Sequence, residues 1–113
     1  MADHIKIRRS DATWSVRVGG AVIGESSNAL ALAEGSYPEV IYFPREDIAT
    51  AFLDASSKST HCPHKGDASY FDIVTKSATL KDAVWSYEAP FDGVSDIAGY
   101  LAFGHADVTV EKI

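Results

Sequence analysis

Thr60-His61-Cys62-Pro63-His64-Lys65-Gly66-Asp67-Ala68-Ser69-Tyr70-Phe71 holds the only cysteine of the chain and two of its four histidines, with a lysine, a proline and a glycine among them. Pro63 and Gly66 shape the backbone here, one by its fixed φ and the other by lacking a Cβ. The stretch runs straight into a strand, Ala68 to Thr75, in which Tyr70 and Asp72 face opposite Phe71 and Ile73. Lys76-Ser77 turns the chain. Thr79 to Tyr87 returns, with Ala83, Trp85 and Tyr87 on one face and Val84 and Ser86 on the other.

The same alternation extends outward. Upstream, Ile5 and Ile7 share one face of a strand over residues 4–9, and Trp14, Val16 and Val18 share one face of a second. Gly19-Gly20 is a two-residue hairpin signal that returns the chain through a third strand at residues 21–25. Ala29 to Glu34 reads as another strand; a helix from Asn28 is the alternative, because Ala and Leu favour helix and Asn28 can cap it. Val40 to Phe43 is a short β-branched and aromatic strand. Pro44 then opens a helix through about Asp54: proline suits the first turn, Glu46 and Asp47 complement the dipole, and Ile48, Ala51 and Phe52 form an apolar stripe. Ala55 to Ser59 reads as a small polar loop. Downstream, Pro90 to Val94 is a loop, and Tyr100 to Phe103 and Asp107 to Glu111 pair around Gly104. Many short strands with local turns and one short helix (about residues 44–54) predict a mainly β, antiparallel fold.

The 113 residues fit a single domain, 1–113. With 46% hydrophobic and 23% charged residues the chain can bury a core, which excludes a disordered segment. A net charge of −6 builds no broad positive field, so neither nucleic acid nor an anionic membrane is an expected partner; Arg8 and Arg9 are adjacent but isolated. One cysteine excludes an internal disulfide framework. The start, Met1 to Lys6, lacks the apolar segment of a secretion signal, and no apolar run reaches membrane-spanning length, so a cytoplasmic location is expected.

Five groups carry candidate chemistry. Cys62 is either a thiol activated by Lys65, His61 and His64 or a small buried hydrophobe beside the proline. His61, Cys62 and His64 are possible zinc ligands, but paired Cys-x-x-Cys knuckles are absent, and no metal and no cofactor is expected. Lys65-Gly66 lacks the order of a phosphate loop, and no G-x-G-x-x-G run is present. Arg45 and Asp47 stand at the start of the expected helix, where Arg45 can fork onto a carboxylate or phosphate, or Asp47 simply caps the helix while Arg45 pairs with a surface acid. Tyr37, Tyr42, Tyr70, Trp85, Tyr87 and Tyr100 are core aromatics or the walls of a cavity edged by hydroxyls.

Taken together, Tyr42-Phe43-Pro44-Arg45-Glu46-Asp47, then Thr60 to Tyr70, then Ala83-Val84-Trp85-Ser86-Tyr87-Glu88-Ala89-Pro90 and the closing Ile97 to Phe103 resemble domain of unknown function family 427. The resemblance covers nearly the whole chain. It implies a β-tent-like fold, two antiparallel sheets meeting over a groove. The zinc cysteines of other β-tent proteins have no counterpart here. The family has carried a nucleotidyltransferase-like label, yet no Gly-Ser with a paired-aspartate motif supports it. The recurrent family residues present are Arg45, Asp47, Cys62, Lys65, Gly66, Tyr70, Trp85 and Tyr87. They imply one pocket, with Tyr70, Trp85 and Tyr87 as walls, Arg45, Asp47 and Lys65 as polar contacts, and Cys62 at its floor. A small polar or anionic ligand is the expected partner. The alternatives are a small enzyme using Cys62 as nucleophile or Lys65 and Asp47 in proton transfer, and a module that docks a protein.

Overall fold

The computed structural model describes residues 4–113; residues 1–3, which enter the reading of the N-terminus, lie outside them. The chain is mainly β, with ten strands in chain order: β1 (Ile5–Arg9), β2 (Trp14–Val18), β3 (Ala21–Ser26), β4 (Leu30–Glu34), β5 (Val40–Tyr42), β6 (Leu53–Cys62), β7 (Gly66–Val74), β8 (Thr79–Ser86), β9 (Ala102–Phe103) and β10 (Val108–Lys112). They form three antiparallel sheets, one more than expected, ordered β1-β4-β5, β10-β2-β3 and β6-β7-β8-β9.

The C-terminal strands divide between two of these sheets. Residues 100–103 and 107–111 do not pair with each other as the sequence suggested. Instead β9 joins β8, with Val84 opposite Phe103, and β10 joins β2, with Val110 opposite Val16. The Gly19-Gly20 hairpin forms as expected between β2 and β3, and Gly19 takes φ +59°. Ala29–Glu34 is resolved in favour of strand: β4 pairs with both β1 and β5.

The expected helix at about residues 44–54 is two single 3-10 turns, Arg45–Asp47 and Thr50–Phe52. Between them the backbone is claimed by β3: Ile48 bridges Gly24, and Ala49 N–H donates to the Ile23 carbonyl at 2.8 Å. An intrahelical ladder cannot form while those groups bond outward. The chain continues directly into β6, so the expected loop at 55–59 is strand. A further 3-10 segment, Asp92–Ile97, buries Val94 and Ile97. Among the described residues no helix is long and apolar enough to cross a membrane.

The four-stranded sheet lies between the other two. Alternate residues of β7 and β8 serve different cores, as strand periodicity requires. Ile73 and Val84 pack with Val16, Val18 and Ile23 of the β10-β2-β3 sheet, alongside Phe71. Ala68 packs with Leu30, Leu32 and Tyr42 of the β1-β4-β5 sheet, alongside Tyr70 and Trp85. The sheet is thus buried on both faces over its centre, and the two faces carry different chemistry.

Candidate functional site

The face turned toward β1-β4-β5 opens into a groove of about 370 Å³. One wall comes from β4, β5 and their connection: Leu32, Glu34, Tyr37, Pro38, Val40 and Tyr42. The other comes from the four-stranded sheet and its turns: Lys58, Lys65, Tyr70, Asp82, Trp85 and Tyr87, with Gly104 beneath the indole. A larger, mostly apolar hollow of about 600 Å³ lies between the tips of the β2–β3 and β7–β8 hairpins, but it holds none of the sequence-predicted site residues.

Lys65 is the deepest charged group of the groove. It sits in the turn from β6 to β7, where its N–H closes onto the Cys62 carbonyl and its carbonyl accepts from Phe91 N–H. The turn is tightened by Gly66 at φ +116°, a conformation that a side chain would strain. Only 9% of Lys65 is exposed. Its Nζ donates to Glu34 Oε1 at 2.6 Å, joining the two walls, and lies 6.0 Å from the Tyr87 ring centre. Burial works to lower the Lys65 pKa, but the hydrogen bond to Glu34 and nearby negative groups outweigh it and hold the ammonium above its usual value. The same hydrogen bond holds Glu34 below the usual carboxylate value against the opposing effect of burial.

The aromatic groups frame this pair. Trp85 Nε1 donates to the Tyr42 hydroxyl at 3.3 Å. Burial raises the pKa of Tyr42 and pushes that of Tyr87 up to about 12, so both phenols are neutral donors and acceptors at physiological pH. The Tyr70 hydroxyl is 3.0 Å from Thr60 Oγ1, and its ring carries the Lys58 ammonium 4.7 Å from the centre. At the edge, His4 Nε2 is 3.5 Å from Glu34 Oε2, and its ring meets that of His64 edge-to-face at 4.6 Å.

Lys65, Tyr70, Trp85 and Tyr87 are therefore brought together. Arg45 and Asp47 are not. Arg45 lies over Phe71, on the other face of the sheet, where its guanidinium reaches Glu88 at 2.7 Å and Ser86 at 3.3 Å and its Nε is buried without a partner. It lines a separate hollow of about 220 Å³. Asp47 accepts the Ser26 hydroxyl at 2.6 Å and makes no cap for its 3-10 turn. The docking of residues 48–49 onto β3 carries both residues away from Lys65. Cys62 is half-buried against the second core, at the end of β6 opposite Gly66, and is not among the groove-lining residues. Among the described residues no group of three or more His, Cys, Asp or Glu side chains is arranged to hold a metal ion.

Sequence reasoning missed Glu34, Lys58 and Asp82. Glu34 ends a strand like any solvated acid, and its partner lies 31 residues away. Lys58 lies in an edge strand that is polar on both faces and shows no alternation. Asp82 is on the wrong side of the β8 alternation. Even positions of β8 face the first core, as Leu80 and Val84 do, whereas Trp85 faces the groove. Between Leu80 and Val84 the register breaks, and Lys81, Asp82 and Ala83 together oppose Asp72 alone. Asp82 takes φ +54°, alone among described non-glycine residues in being left-handed. The bulge inverts the local pattern: Asp82 turns into the groove, and Ala83 turns into the first core. Buried Asp72 holds it, accepting Asp82 N–H and Lys81 Nζ, both at 2.8 Å.

No curated protein matches the chain. The family model described as Domain of unknown function (DUF427) matches residues 6–112. With nearly its whole length covered, the chain belongs to this family of unknown function.

Proposed function

We propose that the groove between the β1-β4-β5 and β6-β7-β8-β9 sheets binds a small polar molecule. The observation that carries this is the Glu34–Lys65 pair at the base of an aromatic cleft. An ion pair largely withdrawn from water, as this one is, is commonly replaceable by apolar side chains without loss of stability, so stability alone gives no reason for it. A groove with apolar walls and a few convergent polar groups is the usual form of a small-molecule site. The pair offers a donor and an acceptor side by side, and neutral Tyr42 and Tyr87 add adaptable hydroxyls. The lining carries two acids, Glu34 and Asp82, and two lysines, Lys58 and Lys65, so it has no net charge and favours a molecule that is neutral overall. Lys65 is held as an ammonium and so is no base at neutral pH, and Asp47 is bonded to Ser26. This arrangement supports binding rather than proton transfer between those two residues.

Native mass spectrometry of gently purified protein tests the reading. An organic mass carried by the wild type and absent from Lys65→Met is the expected result. A retained molecule that survives Lys65→Met together with Trp85→Ala would place the site elsewhere and end the proposal.

A further inference from the structure

β7 is flanked by two bulges that meet over the groove. On one side Ser56, Ser57 and Lys58 of β6 oppose Tyr70 alone. On the other, Lys81, Asp82 and Ala83 of β8 oppose Asp72 alone. Ser56 ties the bulges together: its hydroxyl donates to Asp82 Oδ1 and accepts the Lys58 N–H at 3.1 Å. The bulges thereby deliver two opposite charges to the outer end of the groove, Lys58 above the Tyr70 ring and Asp82 in its left-handed conformation. Among the described residues neither is in an ion pair, with the other or with any other group. Among the described residues the one side-chain hydrogen bond to the Asp82 carboxylate is that of Ser56 to Oδ1. Strained backbone and paired register breaks at one place are the kind of device that aims side chains at a ligand.

We infer that this outer end recognises the zwitterionic headgroup of an α-amino acid, the ammonium on Asp82 and the carboxylate on Lys58, with the ligand's side chain directed inward past Tyr70 and Trp85. The inference rests on the groove being a binding site and names the class of molecule it takes. A single ammonium or carboxylate would leave one of the two charges unanswered. A zwitterion answers both, and it matches a lining of zero net charge.

Three compounds of one skeleton separate the contributions: L-phenylalanine, phenethylamine, which lacks the carboxylate, and 3-phenylpropionate, which lacks the ammonium. Each is titrated into ¹⁵N-labelled protein and followed by amide chemical shifts. L-Phenylalanine is expected to shift the amides of residues 56–58, 70 and 82–85 saturably, with each truncated compound about fivefold weaker. Asp82→Asn keeps a residue that tolerates the left-handed conformation, so the bulge persists. It should weaken L-phenylalanine and phenethylamine by about fivefold and leave 3-phenylpropionate unchanged; Lys58→Met should do the reverse for phenethylamine and 3-phenylpropionate. Equal affinity for all three compounds, at the same amides and insensitive to both variants, overturns the headgroup assignment and leaves the groove as a site. Shifts confined to other surfaces, or none from any of the three up to about 20 mM, overturn it as well. Benzamide, which is neutral and polar, then decides separately on the groove: saturable shifts at Tyr42, Trp85 and Tyr87 keep it, and their absence counts against both readings.

Discussion

Glu34 at the end of β4 and Lys65 in the β6–β7 turn meet at 2.6 Å, an ion pair that joins the two walls of the groove. Their side chains are 23% and 11% exposed, so the pair is neither a surface ion pair nor a fully desolvated one. Removing one partner strands the other, and the costs should differ. Glu34→Gln leaves the deeper ammonium without its counter-charge and should lower stability by about 2 kcal/mol. Lys65→Met leaves the carboxylate nearer to water and beside His4, and should cost about 1 kcal/mol. The double variant should sit closer to wild type than the sum of the singles. Urea unfolding of the four proteins measures this, and strict additivity would show that the two groups do not interact.

The same pair sets how stability depends on pH. Glu34 is lowered from 4.5, so its contribution is present above that value and is lost as pH falls through the lower folded pKa. Asp72 is lowered from 3.8 by Lys81 and the Asp82 N–H, so it adds to the same acid limb. On the alkaline side Lys65 is raised from 10.5, and its contribution disappears as pH rises past that value through the higher folded pKa. Tyr87 moves from 10.0 to about 12, so stability also falls between those two values as the unfolded chain ionises first. Thermal melts should therefore show a plateau from about pH 5 to pH 10. Glu34→Gln and Asp72→Asn should each flatten the acid limb, and Tyr87→Phe the alkaline one.

How legible these features are in the sequence follows from where each side chain's partners lie. β2, β7 and β8 announce themselves through alternating apolar and aromatic side chains and β3 through the Gly19-Gly20 turn, whereas β4, apolar on both faces, reads equally as helix. Residues 44–54 mislead because Ile48, Ala51 and Phe52 have helical spacing, yet Ile48 goes to β3 and Phe52 remains 39% exposed. The aromatic walls of the groove, Tyr70, Trp85 and Tyr87, are readable as alternate positions on two strands. Its charges are not. Glu34 is explained by a turn 31 residues on, and Asp82 by a carboxylate on the neighbouring strand. Such relations depend on register, which local patterns do not carry across a bulge.

Gly104 lies against the indole of Trp85, and a Cβ built there would come within 2.8 Å of Cζ3. Its φ is not left-handed, so the requirement is for space and not for conformation. Gly104→Ala should displace Trp85 away from position 104 and into the groove. Overpacking of this size should cost about 1–2 kcal/mol. The indole hydrogen bond to Tyr42 should lengthen or break, which the Trp85 Nε1–H resonance reports. Trp14, which bonds Ser10, provides an internal control. An unmoved Trp85 resonance with unchanged stability would mean that the sheet gives way instead of the ring.

Asp82 offers the sharpest test of the bulge, because its two requirements can be separated. The left-handed conformation tolerates Asn well and β-branched residues badly. Asp82→Asn keeps the backbone, and its side-chain oxygen can still accept from Ser56, so stability should stay within about 0.5 kcal/mol of wild type. Asp82→Val must either hold a β-branched residue at φ +54° or abandon the bulge, and should cost about 1–3 kcal/mol. If the bulge is abandoned, position 82 reverts to the first-core face and Ala83 to the groove face. Amide shifts should then change through residues 80–84 and in Val16 and Ile73, which belong to the same core as Ala83. Equal stability of the Asn and Val variants would show that residue 82 is not held left-handed in solution, and with that the means of presenting its carboxylate to the groove would be gone.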